Sequence, residues 1–314
     1  MKHAHRLPSI RKPSIPGYRL QGLLAAGGTA LVYAATHESS GRAVAIKIPK
    51  TSCRSASDLE RFEQEMRIAR LVRHRHLVGA HDDGWLAGEC PYLVMDRQPG
   101  RTLSAVLASQ RRLPVTVVIE AALQLSAALT ELHRQHIVHC DLHPKNIWWE
   151  SPGQSLDSFT VKLLDFGLAR FLTEQLAPQK ILVSRSPFGF GTPGYAAPEQ
   201  LTEPACVSAG SDVYSLGALL FESLSFCRPF FRNTIELEIR AQCAGSLFTL
   251  RSLAPQVPAA LAELITSMLS LEPSARPTLS EATEVLSGLR KSLRHPSKPP
   301  VMRRRTSVML RTAA

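Results

Sequence analysis

The chain has 314 residues, 44% of them apolar, and a formal charge of +11 at pH 7, which suffices for the core of one large domain or of two lobes. Its six cysteines form no C-x-x-C pair and no zinc-ligand spacing, which favours a reduced, cytoplasmic protein over a zinc-binding one. The N-terminus lacks the apolar run of a secretory signal, and glutamates interrupt the later apolar stretches, so we expect no membrane span.

The excess positive charge lies at the two ends of the chain. Residues 1–17 carry four Lys or Arg and residues 290–314 carry eight, with no acidic residue in either segment. Removing these twelve from the 37 basic residues leaves 25 against 26 acidic ones. Because a nucleic-acid-binding domain gathers Lys and Arg on a folded face, we expect no specific nucleic-acid partner. Both ends are predicted to be disordered, and a polyanion binder acting through its tail is an alternative.

The first third of the chain predicts a sheet with one helix. Its β-branched, glycine-punctuated runs are typical of antiparallel strands joined by tight turns. The predicted strands lie within 18–49, 81–86 and 91–95. Apolar residues recur at helical spacing over 58–71, which predicts a helix with Ser57 or Asp58 as its N-cap.

From residue 114 onward the pattern becomes mainly helical. The predicted helices are 115–133, 211–225, 234–243, 258–269 and 279–289, with a strand pair at 147–150 and 160–164. Together these elements predict an α+β fold. A β-rich lobe at about 18–95 and a mainly helical lobe at about 102–289 are joined by a hinge at about 96–101.

A glycine-rich turn lies between the first two predicted strands. Its backbone N–H groups could contact phosphate oxygens, although an ordinary hairpin turn gives the same pattern. The segment consists of Leu24, Ala25, Ala26, Gly27, Gly28, Thr29 and Ala30, followed by Val32 on the next strand.

Lys47 lies at the end of an apolar strand, where a buried ammonium group needs a counter-charge or loses its proton. Glu65 on the following helix can supply that charge. The alternative is a surface lysine and a solvated glutamate.

Two acids and an amide follow in the second lobe. Asp141 and Asn146 flank Pro144, which cannot continue a helix, so both side chains project from a loop, where catalytic groups tend to lie. Asp165 follows an apolar strand and precedes Phe166 and Gly167. An acid that accepts a hydroxyl proton, together with an amide and a second acid that hold metal ions, supplies what phosphoryl transfer from Mg·ATP needs.

In this order, Lys47, Glu65, Asp141, Asn146 and Asp165 resemble the eukaryotic-type protein kinase family, most closely its bacterial Ser/Thr members, over about Tyr18 to Leu289. Further matching segments are Gly191–Gln200, Ser211–Gly217, Arg228–Phe230 and Ala275–Pro277. The resemblance implies a bilobal protein kinase fold that binds ATP and Mg²⁺ and phosphorylates serine or threonine hydroxyls of protein substrates. It leaves the oligomeric state open.

The resemblance also implies roles for single residues. Lys47 would hold the α- and β-phosphates and pair with Glu65. Asp141 would orient the substrate hydroxyl and accept its proton, while Asn146 and Asp165 would bind Mg²⁺.

The adenine would lie between Val32 and Ala45 on one side and the strand after Asn146 on the other. Hinge backbone near Asp96 and Gln98 would contact its edge.

Met95 would be the gatekeeper at the back of this cleft. Trp148 occupies the position beneath the purine, where similar kinases carry leucine or another medium apolar residue. In an alternative register, Trp148 turns into the core of the lobe and Trp149 turns outward.

Some matching residues are expected to be structural. Glu199 and Arg276 would form a buried ion pair, Asp212 would brace the catalytic loop, and Thr192 would hold Asp141 in place.

The glycine loop departs from the family. Of the three glycines in its G-x-G-x-x-G pattern only Gly27 remains, and Ala25 and Ala30 replace the others. Because alanine disfavours positive φ, we expect a looser grip on phosphate.

Cys140 replaces the arginine that precedes the catalytic aspartate in many family members. That arginine pairs with a phosphorylated activation-loop residue, so we predict that this chain does not need activation-loop phosphorylation. We interpret Cys140 as a small apolar filler, with a redox role as the alternative.

His143 replaces the lysine that contacts the transferring phosphoryl group. A histidine with an ordinary pKa of about 6.5 is largely neutral at pH 7, so we expect a rate that falls as the pH rises through the imidazole pKa. The altered glycine loop, Trp148 and His143 leave one main alternative to an active kinase, a pseudokinase that serves as a nucleotide-binding or scaffolding module.

Overall fold

The computed structural model describes residues 13–50, 55–86, 89–152, 156–172 and 191–294. Most of the predicted basic leader and basic tail lie outside these residues. The described chain divides into a sheet with one long helix, followed by a mainly helical part.

A five-stranded antiparallel sheet forms the N-terminal lobe. Its strands are β1 (Tyr18–Ala26), β2 (Ala30–His37), β3 (Ala43–Pro49), β4 (Ala80–Leu86) and β5 (Cys90–Asp96). They lie in the order β1-β2-β3-β5-β4, so β3 is central, and its register places Lys47 opposite Val32 on one side and Leu93 on the other. This central position explains why all residues of β3 except the first are buried.

Helix α1 (Ala56–Leu71) begins with a capping box. The Ser55 hydroxyl accepts the N–H of Asp58, and the Asp58 carboxylate accepts the N–H of Ser55. The N-cap is therefore Ser55, and the sequence-based choice of Ser57 or Asp58 is wrong because the helix begins earlier. The buried face of α1 includes Phe62, Met66 and, among these apolar side chains, Glu65.

The C-terminal lobe combines helices with two small sheets. Its helices are α2 (Leu103–Gln110), α3 (Val115–Arg134), α4 (Pro198–Thr202), α5 (Ala209–Ser225), α6 (Ile235–Cys243), α7 (Leu250–Leu253), α8 (Ala259–Met268) and α9 (Leu279–Arg294). Its strands are β6 (Arg101–Thr102), β7 (Ile137–Val138), β8 (Ile147–Glu150), β9 (Thr160–Leu163) and β10 (Arg170–Phe171), ordered β6-β8-β9 and β10-β7. The sequence-based prediction lacks α2, α4 and α7, because such short helices contain too few apolar repeats to show a period.

The two largest apolar cores of the described residues support this arrangement, and the bilobal α+β architecture is confirmed. The larger core joins side chains of α1 to those of the C-terminal helices, so the two lobes share it. The smaller core lies in the N-terminal sheet and includes Ile15, which is 3% exposed. The packed chain therefore begins before the predicted boundary at residue 18, and α9 continues past the predicted boundary at residue 289.

Among the described helices, α3 alone is long and apolar enough to cross a membrane, judged by length and composition only. More than half of its apolar stretch is buried inside the protein, where α3 packs against α5 and α9. Its composition is that of a core helix.

Candidate active site

One lysine joins two carboxylates between the lobes. The Nζ atom of Lys47, on β3, lies 2.5 Å from Oε1 of Glu65 on α1 and 2.9 Å from Oδ1 of Asp165. The Lys47 and Glu65 side chains are almost completely buried. The structure thus brings together three of the predicted site residues, and the alternative of a surface lysine and a solvated glutamate is wrong.

Glu65 and Asp165 share one cation, Lys47, and the pKa values of the two acids shift in opposite directions. Burial opposes the charged form of Lys47, but the charges of Asp165 and Glu65 outweigh it and raise the Lys47 pKa. Burial also opposes the charged form of Asp165, but the charge and hydrogen bond of Lys47 lower the Asp165 pKa on balance. For Glu65 the burial cost prevails and raises the pKa to about 7. Lys47 and Asp165 are thus the firmly ionised pair.

The backbone around Asp165 aims its carboxylate at Lys47. Asp165 has a positive φ of 62°, and its Oδ1 accepts the N–H of Gly167 at 2.9 Å. A Cβ atom on Gly167 would lie 3.0 Å from that Oδ1 and 3.5 Å from Oε2 of Glu65. A side chain at position 167 would therefore crowd the Asp165 carboxylate, which glycine leaves room for.

Asp141 is held from two directions in the catalytic loop. The amide of Asn146 donates to the carbonyl and to Oδ2 of Asp141, at 2.9 and 3.0 Å, and the Thr192 hydroxyl donates to Oδ1 at 2.6 Å. The expected structural role of Thr192 is confirmed. Asn146 also lies beside the strand that leads to Asp165, since its carbonyl accepts the N–H of Leu164 at 2.8 Å.

Asp212, at the start of α5, braces this loop as expected. Its fully buried carboxylate accepts the N–H groups of His139 and Cys140, both at 2.9 Å, and Nε2–H of His133 at 2.8 Å. Burial alone would raise the Asp212 pKa, but these donors lower it on balance. The loop is therefore fastened to a buried, ionised group.

A buried ion pair joins Glu199 on α4 to Arg276, which follows α8. Arg276 donates to both carboxylate oxygens of Glu199, at 2.6 and 2.8 Å, and the Ser211 hydroxyl donates to the same carboxylate at 2.7 Å. The expected Glu199–Arg276 pair is confirmed, and its contacts are structural.

Cys140 is completely buried and packs with Val138 and Val207. Burial raises its thiol pKa well above the usual value, which supports the interpretation as an apolar filler and argues against redox chemistry. Its carbonyl accepts a 2.8 Å hydrogen bond from the amide of Gln200. The sequence analysis assigned no role to Gln200, although this residue is the last of the matched segment Gly191–Gln200.

His143 is oriented by its own loop. Its Nδ1 accepts the N–H of Lys145 at 3.3 Å, and its Nε2 lies 3.5 Å from Oδ2 of Asp141. Burial would raise the Asp141 pKa, but the hydrogen bonds and charge of His143 and the hydroxyl of Thr192 outweigh it and lower that pKa. Asp141 is therefore ionised and able to accept a proton.

The glycine-rich turn forms the outer edge of the cleft. Residues 24–29, which form the end of β1 and the turn before β2, are exposed, and the N–H of Gly27 closes the turn on the carbonyl of Ala30 at 2.9 Å. Neither Ala25 nor Ala30 has a positive φ. The two alanines therefore cause no backbone strain, and the expectation of a looser phosphate grip loses its physical reason.

At the back of the cleft, Ala45 on β3 pairs with Met95 on β5. The side chains of the two hinge residues that follow are occupied elsewhere. Asp96 binds Arg42, and Gln98 accepts a hydrogen bond from Lys162. These contacts turn both side chains to protein partners, which agrees with the expectation that the backbone of Asp96 and Gln98 contacts a ligand in the cleft.

The two tryptophans of β8 face opposite ways. Trp149 is 2% exposed and stacks on Phe159 with ring centroids 4.0 Å apart. Trp148 turns toward the hinge, where its Nε1–H donates to the carbonyl of Pro99 at 2.9 Å. The register that buries Trp148 is therefore wrong.

The predicted metal ligands form a sparse donor set. Within the described ranges, no group of three or more His, Cys, Asp or Glu is arranged to hold a metal ion. Asp165 and Asn146 offer one carboxylate and one amide oxygen, which fits Mg²⁺ bound mainly through substrate phosphates and water.

Comparison with known proteins adds independent evidence. A family model described as the protein kinase domain matches residues 18–286. Serine/threonine-protein kinase PknA of Mycobacterium tuberculosis is 36% identical over 218 residues, which cover 68% of this chain and 48% of that protein. PknB of Mycobacterium leprae is 32% identical over 69% of this chain and 34% of its own length.

A third similar protein, PknA of Corynebacterium glutamicum, is 29% identical over 94% of this chain and 60% of its own length. The chain thus spans less than two thirds of each of these relatives. All three proteins are named serine/threonine-protein kinases.

Proposed function

Because this chain belongs to the protein kinase family, we propose that it is a serine/threonine kinase that transfers the γ-phosphate of Mg·ATP to hydroxyl groups of protein substrates. The observation that carries the proposal is the pair of contacts of Lys47 with Glu65 and Asp165. The ionised Asp141 beside Asn146 adds the acceptor that a substrate hydroxyl needs.

Each of these groups has a separate task. Bound Mg·ATP supplies the phosphoryl group and a cation that offsets its charge. Lys47 would hold the phosphates, Asp165 and Asn146 would hold Mg²⁺, and Asp141 would orient the hydroxyl and take its proton. Thr192 keeps the Asp141 carboxylate in place for that transfer.

His143 would contribute a hydrogen bond where the resembling kinases have a lysine. Since Nδ1 accepts the N–H of Lys145, a neutral ring carries its proton on Nε2, the atom nearest Asp141. His143 therefore offers a donor without gaining a charge. This geometry gives an expectation that competes with the predicted fall in rate at higher pH.

The absence of an arginine before Asp141 fits a kinase that is active without activation-loop phosphorylation. Position 140 has a buried thiol in an apolar cluster, so it offers no charge to a phosphate. Asp212 and Gln200 hold the backbone of the loop instead.

A direct assay separates this proposal from the pseudokinase. The purified chain, Lys47→Met and Asp165→Asn are incubated with labelled Mg·ATP and generic protein substrates, and folding is checked by circular dichroism. We expect label transfer by the natural sequence and background signal from both variants. Background signal from all three folded proteins would favour the pseudokinase.

Location and partners follow from the same proposal. In the described part of the chain, Cys140, Cys206, Cys227 and Cys243 are free thiols, which supports a reducing, cytoplasmic compartment. The proposed partners are proteins that carry the accepting serine or threonine.

A further inference from the structure

The hinge, residues 96–101, is attached to both lobes by side chains. On its N-terminal side, Oδ1 of Asp96 lies 2.6 Å from both the guanidinium of Arg42 and Nε2 of His81. Arg97 donates to the side chain of Gln21 on β1 at 3.3 Å. The first two hinge residues are therefore tied to the N-terminal sheet.

The next two hinge residues are tied to the C-terminal lobe. Lys162 on β9 donates to the side-chain oxygen of Gln98 at 2.7 Å. Trp148 on β8 donates its indole N–H to the carbonyl of Pro99 at 2.9 Å. Because Pro99 has a fixed φ and no N–H of its own, its carbonyl is the group by which this residue can be held.

Gly100 allows the hinge to approach β8 this closely. Its φ of 125° disfavours other residues, and an added Cβ would lie 2.3 Å from the carbonyl oxygen of Trp149 and 3.0 Å from Nε1 of Trp148. Immediately after it, β6 pairs with β8, with Thr102 opposite Trp148. The hinge therefore lies flat against β8 from Pro99 onward.

From these contacts we propose that Trp148, assisted by Lys162, fixes the second half of the hinge to the C-terminal lobe, so that the lobes pivot at the Arg97–Gln98 peptide. Trp148 is then a positioning residue for the hinge backbone that faces a bound nucleotide. A leucine at this position has no donor and cannot form the tie. The nucleotide part of this inference rests on the proposed function, but the tie itself does not.

The test compares Trp148→Phe with Trp149→Phe. Both replace an indole on β8 by a phenyl ring, but only the first removes the hydrogen bond to Pro99. In Trp148→Phe without nucleotide, we expect the amides of residues 97, 98 and 100–102 to exchange hydrogen for deuterium about five-fold faster, the effect of losing one hydrogen bond. Trp149→Phe should lower the melting temperature without selective exchange in the hinge. The double variant Trp148→Phe/Lys162→Met should show faster exchange of the hinge amides than Trp148→Phe alone.

A second measurement links the tie to the site. Titration calorimetry with Mg·ADP should give a dissociation constant about five-fold higher for Trp148→Phe than for the natural sequence. Unchanged hinge exchange in Trp148→Phe, or unchanged ADP affinity in a variant with faster exchange, would overturn the proposal. If the natural sequence fails to bind ADP, the proposed function is contradicted. Hinge exchange in Trp148→Phe still tests whether Trp148 fixes the hinge to the C-terminal lobe.

Discussion

The side-chain amide of Gln200 donates a 2.8 Å hydrogen bond to the carbonyl of Cys140, 60 residues earlier in the chain. Gln200 also accepts the N–H of Ala197 at 2.9 Å. Cys140 has a φ of 66°, a conformation that non-glycine residues disfavour. Gln200 therefore holds a strained residue of the catalytic loop in place, from the same chain segment that carries Thr192.

Replacing Gln200 with leucine should impair catalysis more than folding. The change leaves the Cys140 carbonyl and the Ala197 N–H without these partners, at a cost of about 1–3 kcal/mol, and part of that cost falls on the position of Asp141. We expect kcat to fall roughly tenfold. Steady-state kinetics and thermal melting measure the two effects.

Gln124→Leu is the matched control for that experiment. Gln124 also makes two backbone hydrogen bonds, to Phe159 and Val161, but they join α3 to β9 and its N-terminal approach. It should lose stability and keep its kcat. An equal loss of kcat in both variants would assign Gln200 a merely structural role.

Removal of phosphate from the protein should leave most of its activity. Cys140 supplies no positive charge for an activation-loop phosphate. Asp212 already holds the catalytic loop by accepting the N–H groups of His139 and Cys140. The measurement is the initial rate before and after phosphatase treatment, with mass spectrometry to verify the phosphate content. Loss of nearly all activity would contradict this prediction.

His143→Ala should move the acid limb of the rate profile to higher pH. His143 helps to lower the Asp141 pKa, and the reaction needs the deprotonated carboxylate, so a lowered pKa keeps the rate constant to lower pH. Without His143 the Asp141 pKa rises, and the rate falls at a higher pH than in the natural sequence. The profile of kcat against pH measures this shift.

His143→Gln tests which form of the histidine is used. Glutamine offers a donor but no charge, so it should retain more activity than alanine if the neutral Nε2–H suffices. In that case the rate of the natural sequence holds as the pH rises above 7. A rate that falls there, with glutamine as poor as alanine, would favour the charged form expected from the sequence.

Compared with the natural sequence, the Glu65→Gln variant should have a more stable fold at pH 8 than the same comparison gives at pH 5.5. Its activity should be lower. The Glu65 pKa is raised to about 7 in the folded chain, above its ordinary value, so the folded state binds the extra proton. Stability from this group is complete below the unfolded pKa and is lost as the pH rises through about 7. Removing the acid cancels a cost of roughly 1–3 kcal/mol at pH 8.

Denaturant unfolding at both pH values measures this effect, and Glu63→Gln is its control. Glu63 lies on the exposed side of the same helix, so its replacement should change stability little at either pH. If Glu65→Gln destabilises the protein equally at both pH values, Glu65 is ionised without cost and the prediction fails.

Arg276→Met should destabilise the C-terminal lobe by about 3–5 kcal/mol, because it leaves the Glu199 carboxylate buried without its cation. Adding Glu199→Gln should restore part of that loss, since the charge is then removed as well. Thermal or denaturant unfolding of the two single variants and the double variant gives the coupling between them. A double variant as unstable as the sum of both changes would contradict the pairing.

The sequence predicted residues whose neighbours carry a local signal. Lys47 ends an apolar strand, Glu65 follows a helical period, and Asp165 follows a strand, so their meeting could be expected from the resemblance. The contact of Gln200 with Cys140 joins residues 60 positions apart, and no local sequence pattern predicts it.

Local patterns also leave orientation open. The alternation of β8 contains two adjacent tryptophans, and the partner that decides which one is buried, Phe159, lies outside that strand. The sequence analysis missed Ser55 as the N-cap for a similar reason. The apolar period of α1 begins later in the chain than the first hydrogen-bonded turn of the helix. The hinge contacts of Arg42, which precedes β3, and of Lys162 on β9 come from distant parts of the chain and have no sequence signature.

The ion pair between Lys47 and Asp165 spans 118 residues, whereas Lys47 and Glu65 are only 18 apart. Contacts across such long chain segments form late, since the closure entropy must be met before the contact contributes. During synthesis, the first lobe therefore emerges with its lysine and glutamate but without the aspartate that completes the set. The proposed ability to handle ATP is absent from any growing chain until the second lobe has folded back onto the first.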